Sequence, residues 1–173
     1  VLGRTIVDLS LLNKYLFTFQ IITILMAFAH VSISNNYGDI SSYYISDKNK
    51  ATLVFLKANS QSICVMIIVG LVVALFGNAA LGLIGIRHSL LPLQYSVILI
   101  LTYVFEKQLV NHATMISVRN EVPMLKSYLI SGVAIALTLM LLSLFKVDNL
   151  LYYLLPQPII QGLYNYWYWI KYN

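Results

Sequence analysis

Apolar runs of membrane-crossing length alternate along this chain with short polar connections. The first run, "YLFTFQIITILMAFAHVSI" from Tyr15 to Ile33, would span close to the ~30 Å hydrocarbon core of a bilayer as a helix rising ~1.5 Å per residue. A polar stretch follows, "SNNYGDISSYYISDKNKATLVFLKANS". Its Asn, Gly, Asp and Lys residues predict the main loop of the chain, carrying a surface helix around 51–57. A second run over 60–83 has an apolar centre from Ile63 to Phe76. "GIRHSLLP" predicts a turn, and Pro92 suits the start of a third helix over 93–116, because a missing N–H costs nothing in a first turn. "SVRNEVP" separates this from a fourth run over 124–145, with Asn120 as expected N-cap and Pro123 in the first turn. A fifth run over 149–170 contains "PQP" at Pro156 to Pro158, and two prolines inside a helical pattern predict a kink or a break.

Composition narrows this pattern to one class. The chain is 60% hydrophobic and 10% charged, with mean hydropathy +0.79, against about 45–50% and about 25% in soluble domains. The expectation is an all-α integral membrane protein, a single domain over 1–173 with about five transmembrane helices. A barrel is disfavoured because its strands alternate polar and apolar positions in stretches of roughly ten residues. The net charge of +5 is scattered singly between apolar runs, so the expected partner is the lipid bilayer and no nucleic acid. Cys64 is the sole cysteine and reads as a small apolar residue in a helix. The opening at Val1 has no signal-peptide arrangement, and the chain is read as a piece of a longer one. Counting bases on alternate connections puts Lys48, Lys50, Lys57, Arg119, Lys126 and Lys171 on one side and Arg4, Lys14, Arg87 and Lys146 on the other. The positive-inside bias therefore places the long loop and the C-terminus in the cytoplasm.

Candidate chemistry concentrates in the third run. Glu106 and Lys107 interrupt an otherwise apolar helix, followed by Asn111 and His112. A charge at the centre of a membrane helix costs about 2.5–3.5 kcal/mol on insertion scales and usually faces protein or a water-filled cavity. At about 100° per residue, Tyr103, Lys107 and Asn111 share a face, while Glu106 and His112 point elsewhere. Two readings stay open: an interfacial helix end where Lys107 snorkels and Glu106 is hydrated, or a polar cavity between helices. His30, His88 and His112 are isolated in sequence, so no metal site is expected. His30 is expected near the cytoplasmic interface, and Arg87–His88 in a solvated turn. Neither paired carboxylates, a Ser–His–Asp set nor a phosphate loop is present, which predicts no catalytic residues, no cofactor and no enzyme activity. The ending "YNYWYWIKYN" crowds Tyr and Trp where the last helix would leave the membrane. It reads as an interfacial aromatic belt more than as a sugar platform.

The order of segments resembles the C-terminal half of bacterial oligosaccharide-lipid flippases, the polysaccharide and O-antigen exporters of the multidrug/oligosaccharidyl-lipid/polysaccharide exporter superfamily. The resemblance is carried by "LLPL" (Leu90 to Leu93), "NHATMI" (Asn111 to Ile116), "NEVPMLKSYLISG" (Asn120 to Gly132), "YNYWYW" (Tyr164 to Trp169) and "LFGNAALGLIG" (Leu75 to Gly85). It implies most of a six-helix lobe, with the N-terminal lobe of the parent missing from this chain. The implied activity is movement of an undecaprenyl-pyrophosphate-linked oligosaccharide across the bacterial cytoplasmic (inner) membrane for surface polysaccharide (O-antigen, lipopolysaccharide) synthesis. The substrate-cavity candidates are then Gln20, Glu106, Lys107, Asn111 and His112. Family members often carry arginines in the cavity, whereas Arg4, Arg87 and Arg119 here fall in terminal or loop positions, leaving anion binding to Lys107 or to the missing lobe. The alternatives are a lipid-linked peptidoglycan precursor flippase or drug exporter of the same superfamily, or a noncatalytic membrane subunit.

Overall fold

The computed structural model describes residues 9–118, 124–147, 149–167 and 170. Among them every regular element is a helix, with no strand. In order come α1 (Leu9–Ser46), α2 (Lys48–Leu83), α3 (Leu93–Ser117), α4 (Met124–Leu144), α5 (Leu150–Leu154) and α6 (Pro156–Ile160), followed by a π-helical turn over Gln161–Asn165. Three helices are long and apolar enough to cross a membrane: Leu9–Ser46, Lys48–Leu83 and Leu125–Leu144. Of the other two stretches expected to span, α3 is diluted by Glu106, Lys107 and their polar neighbours, and the last is broken into short pieces.

The polar stretch after Ile33 corrects the expectation of a long loop with a small surface helix. Helix α1 continues through it to Ser46, a single non-helical residue, Asp47, makes the turn, and α2 starts at once. The Asp47 backbone is extended, and its carboxylate accepts hydrogen bonds from the Asn49 and Lys50 N–H groups at 3.1 Å each, an N-cap that satisfies two otherwise orphaned donors. What holds the extension is packing. Ile33 and Ile40, seven residues apart on α1, bury against Phe55 and Ala58 of α2 and Met115 of α3. Burial of this seam outweighs the poor helix propensity of Asn, Gly, Asp and Ser in the same stretch. At ~1.5 Å per residue α1 is about 57 Å long, so the hairpin reaches well beyond a ~30 Å hydrocarbon layer.

The core is a three-helix unit. Helix α2 runs antiparallel to α1, and α3 packs against both, burying Ile22, Leu25 and Ala29 of α1, Met66 of α2, and Leu99, Ile100, Tyr103 and Val104 of α3 in one cluster. The "SLLP" turn is pinned to this unit through its backbone. The Leu90 N–H donates to Asn78 Oδ1 (2.7 Å) and the Leu91 N–H to Thr18 Oγ1 (2.8 Å), while the Thr18 hydroxyl donates to the Lys14 carbonyl (2.8 Å). Two donors just ahead of Pro92, which no helix can satisfy, are thereby paired to α2 and α1. Helix α2 approaches α3 closely at Gly70, where a Cβ would meet Ile100 Cγ2 at 3.0 Å.

The last stretch breaks at Leu155, as the prolines predict, and its pieces lie against both α3 and α4. Ser127 and Ser131 of α4 are buried, small residues of the kind that let apolar helices approach. The remainder of α4 presents Leu129, Val133, Leu137, Met140 and Leu141 outward, and α2 presents Ile68, Val72, Leu75 and Phe76. A contiguous apolar exterior of this kind suits hydrocarbon rather than water. Tyr166 and Trp167 are exposed near the C-terminus, as a belt requires. Asn120, Pro123 and the end of the aromatic run lie outside the described residues.

Substitutions at three positions test this packing. Thr18→Val leaves the buried Leu91 N–H without an acceptor and should destabilise the protein by about 1–3 kcal/mol, read from unfolding in detergent micelles. Gly70→Leu should cost a similar ~1–3 kcal/mol through overpacking against Ile100. Gly132→Leu, where a Cβ meets nothing within 4 Å, should leave the midpoint unchanged.

Candidate functional site

One face of α3 carries the polar groups of the core. Leu99, Tyr103, Lys107, Asn111 and Met115 follow one another at four-residue spacing, and all five are buried. Each neighbouring pair shares a face, while the row as a whole drifts by about 40° per step around the helix. Lys107 is 1% exposed, which removes the reading in which it snorkels to an interface. Its amine lies 2.6 Å from His30 Nδ1 on α1. With Lys107 as an ammonium, which has only donors, the imidazole nitrogen is the acceptor in this contact and the imidazole proton sits on Nε2. Lys107 is thus held by a neutral acceptor on a neighbouring helix and not by the carboxylate of Glu106.

One turn further along α3, Asn111 is fully buried. Its Nδ2 donates to Asn59 Oδ1 at 2.9 Å and to Ser62 Oγ at 3.2 Å, both on α2. Its Oδ1 is buried with no hydrogen-bond partner among the described residues. One turn in the other direction, the Tyr103 hydroxyl is 3.4 Å from Thr23 Oγ1 on α1. Three successive turns of α3 therefore make polar contacts, the first two to α1 and the third to α2, forming a ladder down the middle of the three-helix unit.

The other sequence candidates fall elsewhere. His112 is buried on the flank of α3, its ring centroid 5.6 Å from that of Phe55, and it lines a groove between α3 and the C-terminal segment. Glu106 is half-buried within electrostatic reach of Tyr103 and of Tyr128 on α4. Gln20 is exposed on α1. The structure brings Lys107 and Asn111 together and leaves Gln20, Glu106 and His112 outside their cluster.

Sequence reasoning missed the residues that complete the cluster: His30, Asn59, Ser62 and Thr23. His30, read from the sequence as an isolated histidine, is paired by the structure with the buried Lys107 amine. A signal did exist in Asn59 and Ser62, two polar residues three apart at the start of an apolar run. That spacing puts them on one helix face, but only α3 supplies the partner. Among the described residues no group of three or more His, Cys, Asp or Glu side chains is placed to hold a metal ion.

An all-helical chain with three long apolar helices is compatible with a multi-pass membrane protein. Comparison with protein-family models, with curated proteins and with solved structures finds no match to it.

The Asn111 contacts are open to a double-mutant cycle. Asn111→Ala strands Asn59 and Ser62 and should cost about 1–3 kcal/mol. Combined with Asn59→Ala, the loss should be less than the sum of the single losses by about 0.5–3 kcal/mol, measured from unfolding midpoints in detergent.

Proposed function

We propose that the chain forms part of a membrane transporter that moves a lipid-linked oligosaccharide of the undecaprenyl-pyrophosphate type across the bacterial cytoplasmic membrane. The observation that carries this reading is the buried Lys107 amine, partnered by an imidazole in place of a carboxylate. Ionisable residues are rare inside apolar helical bundles because burying the charge is costly, and where they occur they mark polar pathways. A neutral partner orients the ammonium without cancelling it, so its charge remains available to an anion. A pyrophosphate crossing ~30 Å of hydrocarbon needs such a cation, together with uncharged hydrogen-bonding groups of the kind Asn59, Ser62 and Asn111 provide for sugar hydroxyls.

In this reading α1, α2 and α3 are the inner wall of one lobe. A second lobe, implied by the flippase resemblance, rocks against it to give alternating access, and the buried cluster opens as α1 and α3 shift. The outward apolar faces of α2 and α4 meet lipid, five segments cross the membrane, and the basic hairpin tip with Lys48 and Lys50 lies in the cytoplasm with the C-terminus. The chemistry is binding and movement, with no bond made or broken.

The test is export in the organism that encodes the chain. Deleting the gene should abolish surface polysaccharide and trap lipid-linked units on the cytoplasmic leaflet. Lys107→Met in the protein as encoded should lower export at least about tenfold, equivalent to ~1.4 kcal/mol, at an unchanged membrane level, with Lys107→Arg retaining part of the activity. Full export with Lys107→Met overturns the reading. Accumulation of a peptidoglycan precursor, or drug sensitivity with normal polysaccharide, assigns the transport to a different substrate.

A further inference from the structure

The turn between α2 and α3 carries Arg87 and His88, two basic residues that the polar ladder does not use. Helix α2 ends there on Gly85, whose left-handed φ of 74° lets the Ile86 N–H donate to the Leu81 carbonyl at 3.0 Å. The residues that follow are tied to the neighbouring helices. Asn78 and Thr18 hold the Leu90 and Leu91 amides, and the His88 ring packs on the Phe17 ring of α1 with centroids 5.2 Å apart.

Between this turn and the start of α1 lies a concavity of about 210 Å³, far more than the ~10–15 Å³ that one water needs. Ser10, Asn13 and Lys14 line it from α1, and Arg87, His88 and Ser89 from the turn. Every lining side chain is polar and three are basic. The acidic side chains among the described residues are Asp39 and Asp47 toward the hairpin tip and Glu106 midway along α3, so none of them balances Lys14 or Arg87. Serine hydroxyls and the Asn13 amide add neutral donors. Two uncompensated cations beside neutral donors form an anion site, and the planar guanidinium matches two oxygens of a phosphate.

Position selects the source of the anion. The lining residues fall just outside the ends of three apolar runs, which begin at Tyr15, end at Leu83 and begin at Leu93. Leu9, Leu83 and Ile84, next to them in sequence, are strongly exposed. In a bilayer this is the level of the headgroups, where basic pockets between helices take up lipid phosphates. We propose that this pocket holds the phosphate of an anionic phospholipid, gripped by Arg87 and Lys14, with the lipid chains lying along the apolar exterior. The inference rests on the membrane-protein reading and is independent of whether the chain transports anything.

Native mass spectrometry of the full protein as expressed, in detergent micelles, tests it. With phosphatidylglycerol and phosphatidylcholine added in equal amounts, the protein should retain phosphatidylglycerol at least about fivefold better, a preference of ~1 kcal/mol. Lys14→Gln combined with Arg87→Gln should bring the two lipids level, and Arg87→Lys, which keeps the charge, should preserve most of the preference. Lys48→Gln combined with Lys50→Gln removes the same charge at the hairpin tip and should change nothing. Equal retention of both lipids by the unaltered protein overturns the inference, as does an equal loss of preference in the two double variants. Glycerol 3-phosphate separates the sources: lipid retained in its presence supports the headgroup assignment, and displacement by it at millimolar concentration assigns the pocket to a soluble phosphate instead.

Discussion

Burying the Lys107 amine is the constraint from which the central architecture follows. An ammonium withdrawn from water into an apolar bundle costs several kcal/mol even after relaxation, and the cost is tolerable only with a partner at hydrogen-bonding distance. His30 supplies that partner from α1, which sets α1 and α3 side by side in one register. Asn111, a turn away, makes the same demand on α2 and obtains Asn59 and Ser62. Two neighbouring turns of one helix therefore fix the positions of two others. The apolar cluster around Met66, Ile100 and Val104 then fills the space between them. Packing supplies the bulk of the stabilisation, and the polar contacts tie α3 to α1 and to α2 at particular positions along each helix.

The same economy governs the chain's turns. Proline and broken helices leave backbone donors that apolar surroundings cannot satisfy. Thr18 and Asn78 reach from α1 and α2 to the Leu90 and Leu91 amides, and Asp47 caps α2 within a one-residue turn. In the C-terminal segment the compensation is less complete, since Gln161 Oε1 and the Tyr153 hydroxyl are buried without partners. The region that departs most from regular helix thus carries unsatisfied polar atoms.

Function, in the proposed reading, rests on one side of α3. The face toward α1 and α2 holds a cation and amides, the chemistry that the charged polar head of a lipid-linked saccharide requires. The basic pocket at the α2–α3 turn lies apart from it, at the opposite end of the bundle from the hairpin tip. Glu106 belongs to neither but lies beside α4, where Tyr128 is near.

The helical class, the long apolar stretches and the break at the prolines were legible in the sequence because each rests on local chemistry: hydrophobic run length, charge scarcity and the missing proline N–H. The shared face of Tyr103, Lys107 and Asn111 was legible for the same reason, since helical periodicity alone sets it. Only tertiary structure decided that "SNNYGDISSYYIS" is helix and not loop, because Ile33 and Ile40 stabilise it through Phe55, Ala58 and Met115, partners distant in sequence. Tertiary structure also chose between a snorkelling Lys107 and a buried one. A side chain's depth depends on which helices surround it, and the partner that makes burial tolerable, His30, stands 77 residues away along the chain.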